Sequence, residues 1–190
     1  MNKLFYLWVF ITLGLISCKS TVKDVDRVEL TRQYFHTLNN SESLPDYAWL
    51  SDSLKVIEGG YDQDYSRRSY KEFLKWDSVF KPEYEILEIK QENDLVKAKV
   101  SKIDKRIAFL QNEEFITNQI FKFRNGRINT IKIEYLNFNE TVWEKNKTQL
   151  LSWIDENHPE LHGFIYDQTA SGGERFLRAI ELYENREKLE

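Results

Sequence analysis

The sequence predicts an α+β domain in which helices come first, a meander of antiparallel strands follows, and helices return at the end. Three observations carry this. Apolar residues recur at helical spacing from Val28 to Leu38 and again beyond Thr141. Between Glu83 and Tyr135 they alternate with a period of two. Asn125-Gly126, bracketed by two alternating runs, suits a two-residue type I′ turn, which needs φ > 0 at both positions.

The first helix is expected to begin at Asp24 or Asp26. Val28, Leu30, Tyr34, Phe35 and Leu38 share one arc, with Glu29, Gln33 and His36 opposite, and Asn39-Asn40-Ser41 ends it. Pro45 to Ile57 reads as a second, short helix carrying Tyr47, Trp49, Leu50 and Leu54, broken by Glu58-Gly59-Gly60-Tyr61-Asp62. A third opens at the capping box Ser69-Tyr70-Lys71-Glu72, runs through Phe73, Leu74 and Trp76, and stops before Pro82.

Strand periodicity starts at Glu83. Tyr84 to Ile89 alternates with a slip between Ile86 and Leu87, the mark of a bulge. After the turn Glu92-Asn93-Asp94, Val96, Ala98 and Val100 alternate, and this second strand is expected to continue to Leu110. Gln111-Asn112-Glu113 turns the chain. Phe115, Phe121 and Phe123 then share one face of a third strand, Ile116 and Ile120 the other; Ile131, Ile133 and Tyr135 line one side of the fourth. In the tail, Thr141-Val142-Trp143-Glu144 is a second capping box heading an arc of Val142, Leu150, Trp153 and Ile154, which Asn157-His158-Pro159 ends. Ser171-Gly172-Gly173-Glu174 repeats the pattern ahead of Phe176, Ala179, Ile180 and Tyr183.

The amino terminus carries a different signal. Lys3 precedes an apolar run of thirteen residues, Leu4 to Ile16, too short for a membrane-spanning helix of about 20 residues. Its length fits the core of a signal peptide. The run closes in Leu15-Ile16-Ser17-Cys18, which resembles the lipobox of bacterial lipoproteins. That resemblance implies cleavage before Cys18, lipid on its sulfur and a membrane-anchored mature chain, since two or more acyl chains give durable attachment. Residues 1–17 are then a signal peptide and 18–25 a tether. Lys19 stands where an aspartate would resemble an inner-membrane retention signal, so outer-membrane delivery is expected; Lys19-Ser20-Thr21-Val22-Lys23 lacks the acidic cluster some bacteria use for surface display, so the expected leaflet is the periplasmic one.

Loss of residues 1–17 removes one lysine and no acid, leaving 26 basic and 31 acidic side chains. No basic stripe is present to attract a phosphate backbone, which argues against nucleic acid as a partner. With its only cysteine lipidated, the chain has no disulfide and must rely on packing; of its twelve Phe, ten Tyr and five Trp, all but Phe5, Phe10, Tyr6 and Trp8 remain to supply large units for it.

Three helices ahead of a bent antiparallel sheet is the order of the NTF2-like (SnoaL-like) superfamily. The chain resembles that cone-shaped fold over residues 26–138, through element order, the character of the first helix and the paired hairpins. Leu151 to Leu161 (LSWIDENHPEL) is similar to a tail of lipoprotein-type members. Residues 139–190 form a C-terminal helical extension beyond the minimal fold, placed to cover an edge or the cone mouth.

Few residues suggest chemistry. His158 and His162 are four apart, but a zinc-protease helix needs His-Glu-x-x-His, and Pro159 breaks the helix between them. Ser171-Gly172-Gly173 lacks the Gly-x-Ser-x-Gly of a nucleophile elbow and is explained by capping. His36 lies on the polar side of its helix. Asp52-Ser53-Leu54 and Asp77-Ser78-Val79 resemble acceptors of periplasmic O-glycosylation, a match too short to carry weight.

The resemblance implies more at the cone mouth. NTF2-like enzymes use a carboxylate raised in pKa by an apolar pocket, with a tyrosine or second acid polarising a carbonyl. Within Glu58 to Tyr65, Glu58 and Tyr61 are the candidates for such a pair, against a solvated acidic turn. Trp49, Trp76 and Phe121 are candidates to line a ligand cavity, against plain core packing.

The leading expectation is a lipid-anchored module without catalysis, binding a small apolar ligand or an envelope protein partner. The alternative is an isomerase, dehydratase or hydrolase using Glu58 and Tyr61. Neither cofactor nor metal is expected, and a homodimer through the sheet face is compatible with both.

Overall fold

The computed structural model describes residues 26–40 and 47–186. Cys18 with the residues before it, and Pro45, lie outside the described residues. Helix α1 (Arg27–Asn39) is followed by the hairpin β1 (Leu50–Glu58) and β2 (Tyr61–Ser66), then by α2 (Arg67–Ser78). Strands β3 (Glu83–Glu92) and β4 (Leu95–Ile103) lead into the short helix α3 (Lys105–Gln111), and β5 (Phe115–Arg124) and β6 (Arg127–Tyr135) complete the sheet. Helices α4 (Glu140–Asn157) and α5 (Ala170–Glu184) close the chain, with two 3₁₀ turns between them.

The six strands form one mixed sheet in the order β2-β1-β6-β5-β4-β3. β1 runs parallel to β6; every other neighbouring pair is antiparallel. The expected meander is therefore present as β3 to β6. Its bulge falls between Ile86 and Glu88, and further register shifts occur between Leu50 and Lys55 and between Lys122 and Phe123. Each one bends its strand, and together they curve the sheet. Asn125 (φ 52°) and Gly126 (φ 70°) make the β5–β6 turn.

Three expectations need correction. The segment read as a second helix is strand β1, so six strands replace the expected four. Leu50 and Leu54 are both fully buried, and residues four apart share a face in a helix and in a strand alike, so that pair does not discriminate. The decisive signal is Gly59-Gly60, whose positive φ values of 58° and 86° turn the chain directly into β2 with Glu58 opposite Tyr61. Two helices, not three, thus precede the meander among the described residues, with a hairpin between them. The second strand of the meander stops at Ile103 instead of running to Leu110. Asp104 accepts a hydrogen bond from the Ile107 amide at 2.6 Å and caps α3, which buries Ile107 and Leu110. Helix starts also move. Ser66, Asn139 and Thr169 cap α2, α4 and α5, each accepting from an amide three residues on at 3.0–3.1 Å.

Two cores result. The inner face of the sheet packs against α1 through Tyr34, Phe35, Val96, Phe121 and Ile131. A second cluster joins α2 to α3, α4 and α5 through Trp76, Phe80, Leu110, Leu150, Ile154 and Phe176. Gly172 and Gly173 belong to this second contact. A Cβ on Gly172 would stand 2.1 Å from the Asp167 carbonyl oxygen, and one on Gly173 3.1 Å from that of Trp76. The glycine pair serves close packing at the start of α5.

Candidate functional site: a cavity on the inner face of the sheet

Alternation along each strand sends every second residue to the inner face, and register aligns them into rows. Val100, Thr117 and Tyr135 make one row; Ala98, Gln119, Ile133, Glu58 and Tyr61 make the next. Helix α1 covers the end of the sheet that holds Val96 and Phe121. At the other end α2 stands over these two rows and leaves a cavity of about 490 Å³. Tyr34, Tyr70, Phe73, Trp76 and Tyr84 wall it on one side, and Phe138, Trp143 and Gln168 border it from the C-terminal segment.

The floor is charged. Asp77 on α2 lies 2.7 Å from Lys102 Nζ and 3.7 Å from an Arg106 Nη2. Asp104 adds contacts at 3.7 Å to Lys102 and 3.5 Å to Arg106. Tyr84 donates to Asp77 Oδ2 at 3.0 Å. Burial pushes the Asp77 carboxyl up, but Lys102 and Arg106 outweigh it and hold the group below the usual carboxylate range. Burial lowers the Arg106 guanidinium, and Asp104 and Asp77 more than restore it. Its planar group stacks over Trp76 at 4.8 Å and Phe80 at 5.1 Å.

Phenols dominate the rest of the lining. The Tyr34 and Tyr70 hydroxyls share one hydrogen bond of 2.8 Å. Burial raises both phenols, as it does Tyr84 and Tyr135. Tyr135 donates to Glu58 Oε1, and the Glu58 charge raises that phenol further.

Glu58 lines the cavity and is a cross-strand neighbour of Tyr61. Its hydrogen-bond partner, however, is Tyr135. Tyr61 borders the same cavity at 82% exposure. Trp76 lines the cavity; Trp49 and Phe121 pack in the first core against Tyr34. His36 is exposed, while His158 and His162 lie 3.3 Å from Glu160 and 2.8 Å from Asp155. Among the described residues no group of three or more His, Cys, Asp or Glu side chains is placed to hold a metal, and no helix is long and apolar enough to cross a membrane.

Sequence reasoning missed Asp77, Lys102, Arg106, Gln119 and Tyr135. Two of them left a trace. Lys102 continues the inward alternation Val96-Ala98-Val100, and Gln119 falls between Thr117 and Phe121 on the inward phase of its strand. A polar residue on an inward position is the mark of a lined cavity.

No protein-family model matches the sequence, and no curated protein matches it. Solved structures match in shape. A protein from Kribbella flavida aligns with a TM-score of 0.52 at 10% identity, over 64% of this chain and 93% of its own. A putative ketosteroid isomerase from the same organism aligns with 0.49 at 14% identity, over 60% and 79%. An NTF2-like protein from Cytophaga hutchinsonii aligns with 0.46 at 11% identity, over 57% and 88%. NTF2-like proteins are thus among the structural neighbours. At these identities the likeness is one of fold, an α+β chain with a curved sheet.

Proposed function

We propose that the chain is a lipid-anchored, NTF2-like binding module whose cavity takes a small amphipathic molecule without transforming it. The observation that carries this is the state of Asp77. A carboxylate working as general acid or base needs a pKa raised toward the working pH. Asp77, the more buried of the two carboxylates that line the cavity, is instead held ionised by Lys102 and Arg106, and Glu58, the other, accepts the Tyr135 hydroxyl at Oε1. The cavity volume of about 490 Å³ suits a small ligand, and its walls combine aromatic faces with a few fixed polar atoms.

The curved sheet packed against helices supports the NTF2-like assignment, with a helix, a hairpin and a second helix in place of the three leading helices expected. The anchor rests on Leu15-Ile16-Ser17-Cys18 and the apolar run before it, the outer membrane on Lys19, and the periplasmic leaflet on the lack of an acidic cluster in residues 19–23.

Native mass spectrometry of the full-length protein extracted from membranes in mild detergent tests the reading. We expect a co-purifying molecule, released chemically unchanged and lost from a Thr117→Trp variant that fills the cavity. A ligand consumed on incubation, or one retained by Thr117→Trp, would overturn it.

A further inference from the structure

The charges around the cavity do not cancel. Lys102 and Arg106 supply two positive charges, and Asp77 and Asp104 match them at distances of 2.7–3.7 Å. Glu58 is left over. Among the described residues no cation forms an ion pair with it; its partner is the neutral Tyr135 hydroxyl, which occupies Oε1 and leaves Oε2 for a ligand.

Aromatic rings line the same cavity as this carboxylate. Tyr61 is its cross-strand neighbour, and Tyr135, Phe138 and Trp143 line the same mouth, with successive ring centroids 5.8 and 5.7 Å apart. Ring faces carry negative potential and attract cations, most of all alkylated ammonium groups, whose charge is spread and weakly hydrated.

A second observation stands on the same row, two strands and so about 10 Å away. Gln119 is buried, and its Oε1 has no hydrogen-bond partner among the described residues. Its orientation is fixed locally: Nε2 donates to Thr117 Oγ1 at 3.2 Å, and the Thr117 hydroxyl donates to the Val100 carbonyl at 3.4 Å. A buried acceptor left unpaired is costly, so a ligand donor there gains accordingly.

We propose that the ligand is an organic ammonium ion. Its cationic nitrogen sits beside Glu58 among Tyr61, Tyr135 and Phe138, and an N–H or O–H farther along its body reaches Gln119 Oε1. This proposal rests on the reading of the cavity as a ligand site and adds the ligand's charge and shape.

The test is a calorimetric or NMR titration of the full-length protein with four probes of similar size: benzyltrimethylammonium, benzylamine, benzyl alcohol and phenylacetate. The two cations are expected to bind about tenfold tighter than the alcohol, with phenylacetate weakest. Glu58→Gln, which keeps an acceptor for Tyr135, brings the cations to the level of the alcohol. Tyr61→Ala, at an exposed position, weakens the cations by about threefold without changing the melting temperature. Equal binding of alcohol and cations, preferential binding of phenylacetate, or undiminished cation affinity in Glu58→Gln overturns the proposal. If the neutral or anionic probe binds and Thr117→Trp abolishes that binding, the cavity reading survives alone. If no probe binds, both fall.

Discussion

Lys102 Nζ stands 2.7 Å from Asp77 Oδ1 and 3.0 Å from Oδ2, a fork that ties the end of β4 to α2 across the cavity floor. Breaking a buried pair leaves a charge without its partner and costs far more than losing an exposed one. Asp77→Asn is therefore expected to lower stability by about 3–5 kcal/mol in chemical denaturation. Removing the exposed Lys132–Glu134 pair, at 2.6 Å, costs less than about 1 kcal/mol.

The same carboxyl sets an acid limit. Its folded-state pKa lies below the ordinary value of 3.8, so its contribution is fully present above that value and lost as pH falls through the folded one. Urea midpoints measured from pH 5 to 2 should fall more steeply for the native chain than for Asp77→Asn. Parallel curves would show that Asp77 is not the group responsible.

At the alkaline end the sign reverses. Burial raises Tyr34, Tyr70, Tyr84 and Tyr135 above the ordinary tyrosine value of 10.0. Their contribution is present below that pH and disappears as pH climbs toward the folded values. Tyrosinate absorbance should accordingly appear in two phases. The buried set ionises in the later phase, together with loss of the circular dichroism signal. A single smooth titration with structure intact would contradict this.

Gly172→Ala forces a methyl group to 2.1 Å from the Asp167 carbonyl oxygen. The neighbouring backbone must move, and a loss of about 2–3 kcal/mol is expected. Gly173→Ala presses on Trp76 and Val79 at 3.1–3.2 Å and should cost about 1 kcal/mol. Differential scanning calorimetry of both variants checks the order.

Cys18→Ser should leave an uncleaved precursor carrying no diacylglycerol, detected by intact-mass measurement of the extracted protein. Processing and fractionation identical to the native chain would remove the lipid anchor from the functional reading.

Much of the meander was legible because its inner face alternates and Asn125-Gly126 fixes one turn. Strand β1 was not, because Leu50 and Leu54 satisfy both periodicities and a glycine pair reads as a helix break as readily as a hairpin. The cavity was harder still. Glu58 was visible as an acid near a turn, but Tyr135, its partner, lies seventy-seven residues away in sequence. Asp77 reads as an ordinary helical acid until α2 is laid against Lys102 and Arg106. Pairings made by strand order leave no local mark, whereas a lysine continuing an apolar alternation does.

The parallel contact between β1 and β6 also governs how the fold can be assembled. Residues 50–58 find their neighbour only when residues 128–133 arrive, after the whole intervening meander. Such remote pairing is slow to form. During synthesis the first hairpin must wait with one edge bare, open to association with other chains. A nascent polypeptide stopped short of Arg127 should therefore depend on chaperone protection, and release past Tyr135 should end that dependence.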